Sequence, residues 1–379
     1  MAPNISDRTI SAAAPSATDA WSTQASKSLE ALQSAEVKPF VNAPHRFSPV
    51  DAGEYALDTQ GTPFIPSEHL DIRPPAFVYS SDFTKIPFVP GQRNSTSFAV
   101  TEPFRLLSDA GVAAFREVIE QHKDDPRIAQ SDERVELMLR GLSFVSPFVN
   151  GLSNSEDVAE LASNLSGDAL TTHSMTTTHG HINVGAATGK VVDPWHLDSV
   201  DYVMVVMLTD PATFEGGDLE VVRRSTAEEA RELVERGPLS DEDVLTVRFQ
   251  RAGDAILLLG TTHLHRVTPV FSGREPRLSA VLPFITRRLP SKDLTRYGTF
   301  KRKDRFAAIE YGRHKAWRAQ GFLSHLTSLS FDKSSVEDVL RDLVFARDEL
   351  EHAIRVLSGE DDDEMPFFDE TSGKFIKRR

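Results

Sequence analysis

The chain has 379 residues, 42 basic against 56 acidic, a formal net charge of -14 and no cysteine. The missing cysteine excludes disulfides, thiolate nucleophiles and Cys-ligated zinc. The acidic balance argues against a nucleic acid or an anionic membrane surface as partner.

Residues 1–37 are rich in Ser, Ala and Thr and lack the continuous apolar core of a secretory signal. A transit peptide fits poorly, because the first turns carry a single arginine, Arg8. The segment reads as a flexible or weakly helical extension, with Trp21, Ala25, Leu29 and Leu32 on one helical face. No apolar run approaches membrane-spanning length, so a soluble, cytoplasmic enzyme is the default expectation.

Residues 38–169 read as a Pro-rich wrap followed by helices. Pro63, Pro66, Pro74, Pro75, Pro87 and Pro90 favour extended chain and turns. Ser108 is placed to cap a helix opening at Asp109, with Val112, Phe115, Val118 and Ile119 at helical spacing. A second helical piece is predicted over Glu133 to Arg140, ended by Gly141, and a third over Glu156 to Leu165.

From Leu170 the pattern turns to strand. His181 to Val184, Val200 to Leu208, Asp218 to Val222, Val244 to Phe249, Ala255 to Leu259, His265 to Val270 and Leu278 to Ile285 are short apolar or alternating runs. Ala227 to Arg236 has helical composition and reads as an insertion between strands. Residues 170–290 are therefore predicted as a β-sandwich or barrel. Residues 291–379 turn helical again: Phe306 to Phe322, then a helix capped by Ser335 with Asp338. Val336, Val339, Leu340, Leu343, Ala346, Leu350 and Ile354 form its apolar stripe, and Glu360 to Glu364 reads as a solvated acidic run.

Within the strand region, Trp195-His196-Leu197-Asp198 puts a His and a carboxylate two apart, hence on one face of a strand. A distant His, in His265-Arg266-Val267-Thr268-Pro269-Val270, supplies a third ligand. Two His and one carboxylate on one side of a metal are the ligand set of non-haem Fe(II) oxygenases. Parity does not separate His265 from His263.

With Phe214-Glu215-Gly216-Gly217-Asp218-Leu219, Gly253-Asp254-Ala255 and Arg277-Leu278-Ser279, these segments follow one another in an order and spacing that resembles the Fe(II)/2-oxoglutarate-dependent dioxygenases. The prolyl-4-hydroxylase-like branch is the nearest, over about residues 170 to 286. The resemblance implies an α+β chain with a mainly β core. That core would be a double-stranded β-helix (jelly-roll or cupin-like), with N-terminal helices and a C-terminal helical segment. It carries over His196, Asp198 and His265 as iron ligands, and favours His265 over His263 through the Val-x-Pro-Val tail. It also calls for an arginine to clamp the distal carboxylate of 2-oxoglutarate. Arg277, directly before an apolar strand, is preferred to Arg274, which sits in turn chemistry. Asn183 lies in a strand that corresponds to the family's second anchoring position, and Tyr202 is the nearest tyrosine after the metal motif.

The implied activity is oxidation, foremost hydroxylation, of a C–H bond, consuming O₂ and 2-oxoglutarate and releasing succinate and CO₂, with ascorbate as an aid that keeps iron reduced. Related halogenases have a small residue where Asp198 stands, so the carboxylate points away from halogenation. A small-molecule substrate is expected, with no nucleic acid or membrane partner and a homo-oligomer left open. The alternatives are a cupin-like metal-binding protein without 2-oxoglutarate-dependent oxidation, for which Arg277 is the discriminating residue, and a protein-side-chain hydroxylase. Phe214-x-Gly216-Gly217 reads as a structural turn, Trp195 as core packing, and Tyr311, Trp317 and Phe322 as helix packing or a subunit contact. His173, His179 and His181 read as a polar strand face from which one residue could reach substrate.

Overall fold

A computed structural model describes residues 39–45, 47, 61–131, 134–300, 306–330, 332 and 334–377. The expected N-terminal extension, with its Trp21–Leu32 helical face, lies outside them.

Two antiparallel sheets stack face to face. In the larger, the Tyr202–Met207 strand lies between Asp254–Leu258 and Arg277–Thr286, and His181–Gly185 follows on the far side of Arg277–Thr286. The smaller runs Val244–Val247, Leu219–Val222, His265–Val267, Asp193–His196, then the C-terminal hairpin Phe367–Asp369 and Lys374–Ile376. Side chains alternate across a strand, and that alternation builds two cores from one sequence. Val203, Met207, Ile256, Leu258 and Val281 meet Leu219, Val221, Leu245 and Val247 of the smaller sheet. Met204, Val206, Ala255, Leu257, Ala280 and Leu282 face the other way, against the helices. The result is a mixed α+β architecture with a large antiparallel core and flanking helices; the described strands do not close into a barrel.

The Asp109–His122 helix forms as expected, with Ser108 Oγ accepting from Gly111 N at 3.0 Å. Ser335 and Asp338 make the expected capping box on the Val336–Ser358 helix. The helix predicted over Glu133 to Arg140 does not form. Leu137–Leu139 is instead a strand paired with His181–Gly185, because three consecutive apolar residues beside an open sheet edge gain more from the ladder than from a short helix. The acidic run is also not simply solvated. Asp363 accepts from the backbone N–H groups of Tyr297 and Gly298, both at 2.7 Å, and Glu364 is buried.

Tyr311, Trp317 and Phe322 are buried within the Ala307–Thr327 helix. Beside them Lys315 Nζ lies 2.7 Å from Asp293 Oδ2 and 2.9 Å from Glu349 Oε2, and Arg318 Nε lies 2.6 Å from Glu349 Oε1. Burial opposes the Asp293 charge, but His314, Lys315 and Arg318 outweigh it and hold the carboxyl well below the usual carboxylate range. This buried pairing ties the two C-terminal helices to the segment after Leu289. No described helix is long and apolar enough to cross a membrane.

Candidate metal centre

His196 ends the Asp193–His196 strand, His265 begins the His265–Val267 strand, and the two are direct register partners. Cross-strand partners bring their side chains close, and the imidazole centroids are 4.3 Å apart. Asp198 lies just past the strand end, so its carboxylate reaches the site from the following turn, anchored by its N–H donating to Gly260 O at 2.9 Å. Asp198 Oδ1 is 3.6 Å from His196 Nε2, and Oδ2 is 3.5 Å from His265 Nε2. One ligand atom from each residue falls within 4.8 Å of the others.

The surrounding hydrogen bonds prepare these atoms for a cation. His196 Nδ1 donates to Pro194 O at 2.7 Å, and His265 Nδ1 donates to His263 O at 2.9 Å. A carbonyl only accepts, so each Nδ1 carries the proton and each Nε2 keeps its lone pair. Burial, and then the neighbouring His196, pushes the His265 pKa down to about 4, so the ring is neutral at pH 7. Asp198 Oδ2 is buried with no hydrogen-bond partner among the described residues. An orphaned carboxylate oxygen beside two inward lone pairs fits a divalent cation.

Gly260 makes room for that carboxylate: a Cβ there would collide with Asp198 Oδ2. Gly260→Ala is therefore expected to displace the carboxylate and weaken Fe(II) binding by about 10- to 100-fold with the fold retained, as measured by metal titration beside thermal melting.

Arg277 begins the central Arg277–Thr286 strand and is buried. Its Nε donates to Gly217 O at 2.8 Å and its Nη1 to Ser279 Oγ at 2.9 Å, while Nη2 is buried without a partner among the described residues. Burial lowers its pKa to about 10, which leaves the guanidinium charged at neutral pH. Two of its nitrogens are thus fixed and one is left over, the arrangement that suits an incoming carboxylate. The Phe214-x-Gly216-Gly217 turn is structural but serves this residue. Gly217 has φ 69°, and a Cβ on it would stand 2.7 Å from Arg277 Cδ.

The triad and Arg277 line one cavity of about 80 Å³, with Val203, Val205, Leu219, Val267 and Val281 as its apolar wall. Asn183 lines it too, opposite Ser279 in register. Of the three upstream histidines only His181 reaches the cavity; burial, then Arg140, pushes its pKa down to about 3. His173 stacks on His314, and His179 Nε2 donates to the His173 carbonyl. Tyr202 faces the helical core, with its hydroxyl 3.5 Å from Asp168 Oδ2, and does not line the site. His263 sits in a turn, where strand parity does not apply, and packs edge-on against Phe83. Arg274 is exposed on a turn. Trp195 packs in the core, with Arg266 4.6 Å over its ring.

Sequence reasoning missed Arg134, Ser199, Ser279, Thr299 and Phe300, which also line the cavity. Arg134 Nε stands 2.9 Å from Asp193 Oδ1, which is 3.4 Å from His196 Nδ1. Only Ser279 carried a sequence signal: it lies two residues from Arg277, on the same face of its strand.

The family described as Halogenase D matches residues 117–299. No curated protein matches the chain. Among solved structures, the apoform of EctD from S. alaskensis is 18% identical over 57% of this chain and 84% of its own, with a TM-score of 0.38. The non-heme alpha ketoglutarate dependent epimerase SnoN from nogalamycin biosynthesis is 19% identical over 47% and 75%, at 0.34. AviO1 from Streptomyces viridochromogenes Tue57 is 18% identical over 48% and 88%, at 0.35. The family match spans just under half of the chain.

Proposed function

We propose that the chain is an Fe(II)/2-oxoglutarate-dependent dioxygenase that hydroxylates a C–H bond of a small organic substrate, on a double-stranded β-helix core with prolyl-4-hydroxylase-like motif order. One observation carries the reading: the convergent His196, Asp198 and His265 atoms share a cavity with Arg277, whose Nη2 has no partner among the described residues. A cupin-like metal protein would need the triad but not the buried arginine.

His196, Asp198 and His265 would hold iron, and Arg277 with Ser279 and Asn183 would receive the distal carboxylate of 2-oxoglutarate. Iron and 2-oxoglutarate bound there supply the oxidation of substrate by O₂, with release of succinate and CO₂. Pro194 O and His263 O fix the tautomers of the two imidazoles, so no proton must be lost before a cation enters. Gly217 O and Ser279 Oγ hold the guanidinium in place before its ligand arrives, which lowers the ordering cost of binding. The apolar wall excludes water from the reacting centre. The burial of the ligand set favours a small molecule over a protein side chain on an intact backbone.

The Halogenase D match favours a second reading, halogenation, and Asp198 is the argument against it. A carboxylate in that position occupies the place a halide would need. The test is turnover with Fe(II), 2-oxoglutarate and O₂ in chloride buffer, with a panel of small organic substrates. Hydroxylation chemistry predicts succinate formation that chloride does not alter, and products heavier by oxygen alone. No succinate from iron-loaded protein would favour the cupin-like reading, and a chlorinated product would favour the second.

A further inference from the structure

The apolar stripe expected on the last helix exists, but the fold leaves most of it uncovered. Ala346 is buried, whereas Val336 is 70% and Ile354 66% exposed. Val336, Leu343, Leu350 and Leu357 recur every seven residues, the spacing of a coiled-coil seam, and all four are exposed. The helix that packs beside it, Ala307–Thr327, adds exposed Ile309 and Leu323. Gly312 on that helix approaches Leu357, so the two faces are continuous. With Leu340, the exposed fractions amount to about 700 Å² of apolar surface, above the few hundred Å² usual for a monomer and close to one partner's share of a standard interface.

The pattern has a symmetry that identifies the occupant. Val336 and Leu357, Val339 and Ile354, and Leu343 and Leu350 are each equidistant from a point between Ala346 and Arg347, at the middle of the Val336–Ser358 helix. Two copies of the helix laid antiparallel about a two-fold axis through that point therefore set apolar residue against apolar residue along the whole length. Glu337 and Arg355 share one flank of the stripe by helical spacing. Antiparallel pairing brings Glu337 to within one residue of the register of Arg355 of the second copy. Arg347, the charge inside the stripe, sits at the dyad with its own Asp348 at 2.6 Å and Glu351 at 3.8 Å.

We propose that the protein is a two-fold dimer in which the C-terminal helix hairpins of two copies pack into a four-helix bundle, with the Val336–Ser358 helices antiparallel across the axis. The test is the solution mass of the full chain by light scattering at about 10 µM. The expected result is twice the 42.0 kDa chain mass. Leu343→Glu with Leu350→Glu shifts the species to monomer with the melting temperature and iron affinity unchanged; Ile354→Lys gives the same shift if that pair fails to fold. Because the chain has no cysteine, Leu343→Cys with Leu350→Cys forms an oxidised covalent dimer, whereas Leu343→Cys alone does not. A monomeric wild type, or a dimer indifferent to the charged variants, overturns the proposal. A monomer that dimerises only after residues 1–38 are removed also overturns it, by assigning the face to the chain's own N-terminal segment. Cross-linking by Leu343→Cys alone overturns the antiparallel arrangement.

Discussion

His265→Ala is expected to abolish Fe(II) binding and all 2-oxoglutarate turnover while leaving the protein folded. Loss of a group that merely orients a metal ligand costs about 10- to 100-fold in affinity, and here the ligand itself is removed. The ring stands beside both His196 and Asp198, so its deletion leaves a two-ligand site. The surrounding strands are held independently of the ring: Val221 and His265 are register partners through their backbones, as are His196 and Phe367. Calorimetric Fe(II) titration beside a thermal melt separates loss of site from loss of fold. Retained iron affinity in a folded variant would remove His265 from the ligand set. His263→Ala, by contrast, is expected to keep iron, since that ring faces Phe83.

Arg277→Gln is expected to retain iron and lose 2-oxoglutarate. Truncating one partner of a buried, hydrogen-bonded charge pair costs about 2–5 kcal/mol, which is about 30-fold to several thousand-fold in affinity. The effect belongs in 2-oxoglutarate binding, because Arg277 is not among the three converging metal ligands. Arg277→Lys keeps the charge but not the planar fork, and falls between the two. If Arg277→Gln bound 2-oxoglutarate as the wild type does, the guanidinium would have no part in anchoring it.

The sequence was most legible where a local rule and the long-range arrangement agree. His196 and His265 could be paired because each stands at the edge of a short strand, and cross-strand register then does the rest. Arg277 was picked out by the resemblance, and its place at the head of an apolar strand agrees with the burial found. The buried strands from Tyr202 to Thr286 read correctly for the same reason.

What escaped was set by partners far along the chain. Leu137–Leu139 takes its strand form from His181–Gly185, which no local pattern around it announces. Asp363 looks like one acid among several until the turn at Tyr297 and Gly298 offers it two N–H groups. Thr299 and Phe300 enter the cavity through that same turn. Asp198 was expected on a strand and lies beyond its end, where Gly260 leaves the space its carboxylate takes. Periodicity gave the apolar stripe of the last helix correctly but could not say which side the fold would cover.

The most direct test is anaerobic titration of Fe(II) into the purified chain with 2-oxoglutarate, watching for a weak visible charge-transfer band, with His265→Ala and Arg277→Gln beside the wild type. The account predicts a band that requires both iron and 2-oxoglutarate, is absent in His265→Ala, and appears in Arg277→Gln only at much higher 2-oxoglutarate. A wild type that binds iron without giving a band, with Arg277→Gln indistinguishable from it, would contradict the account.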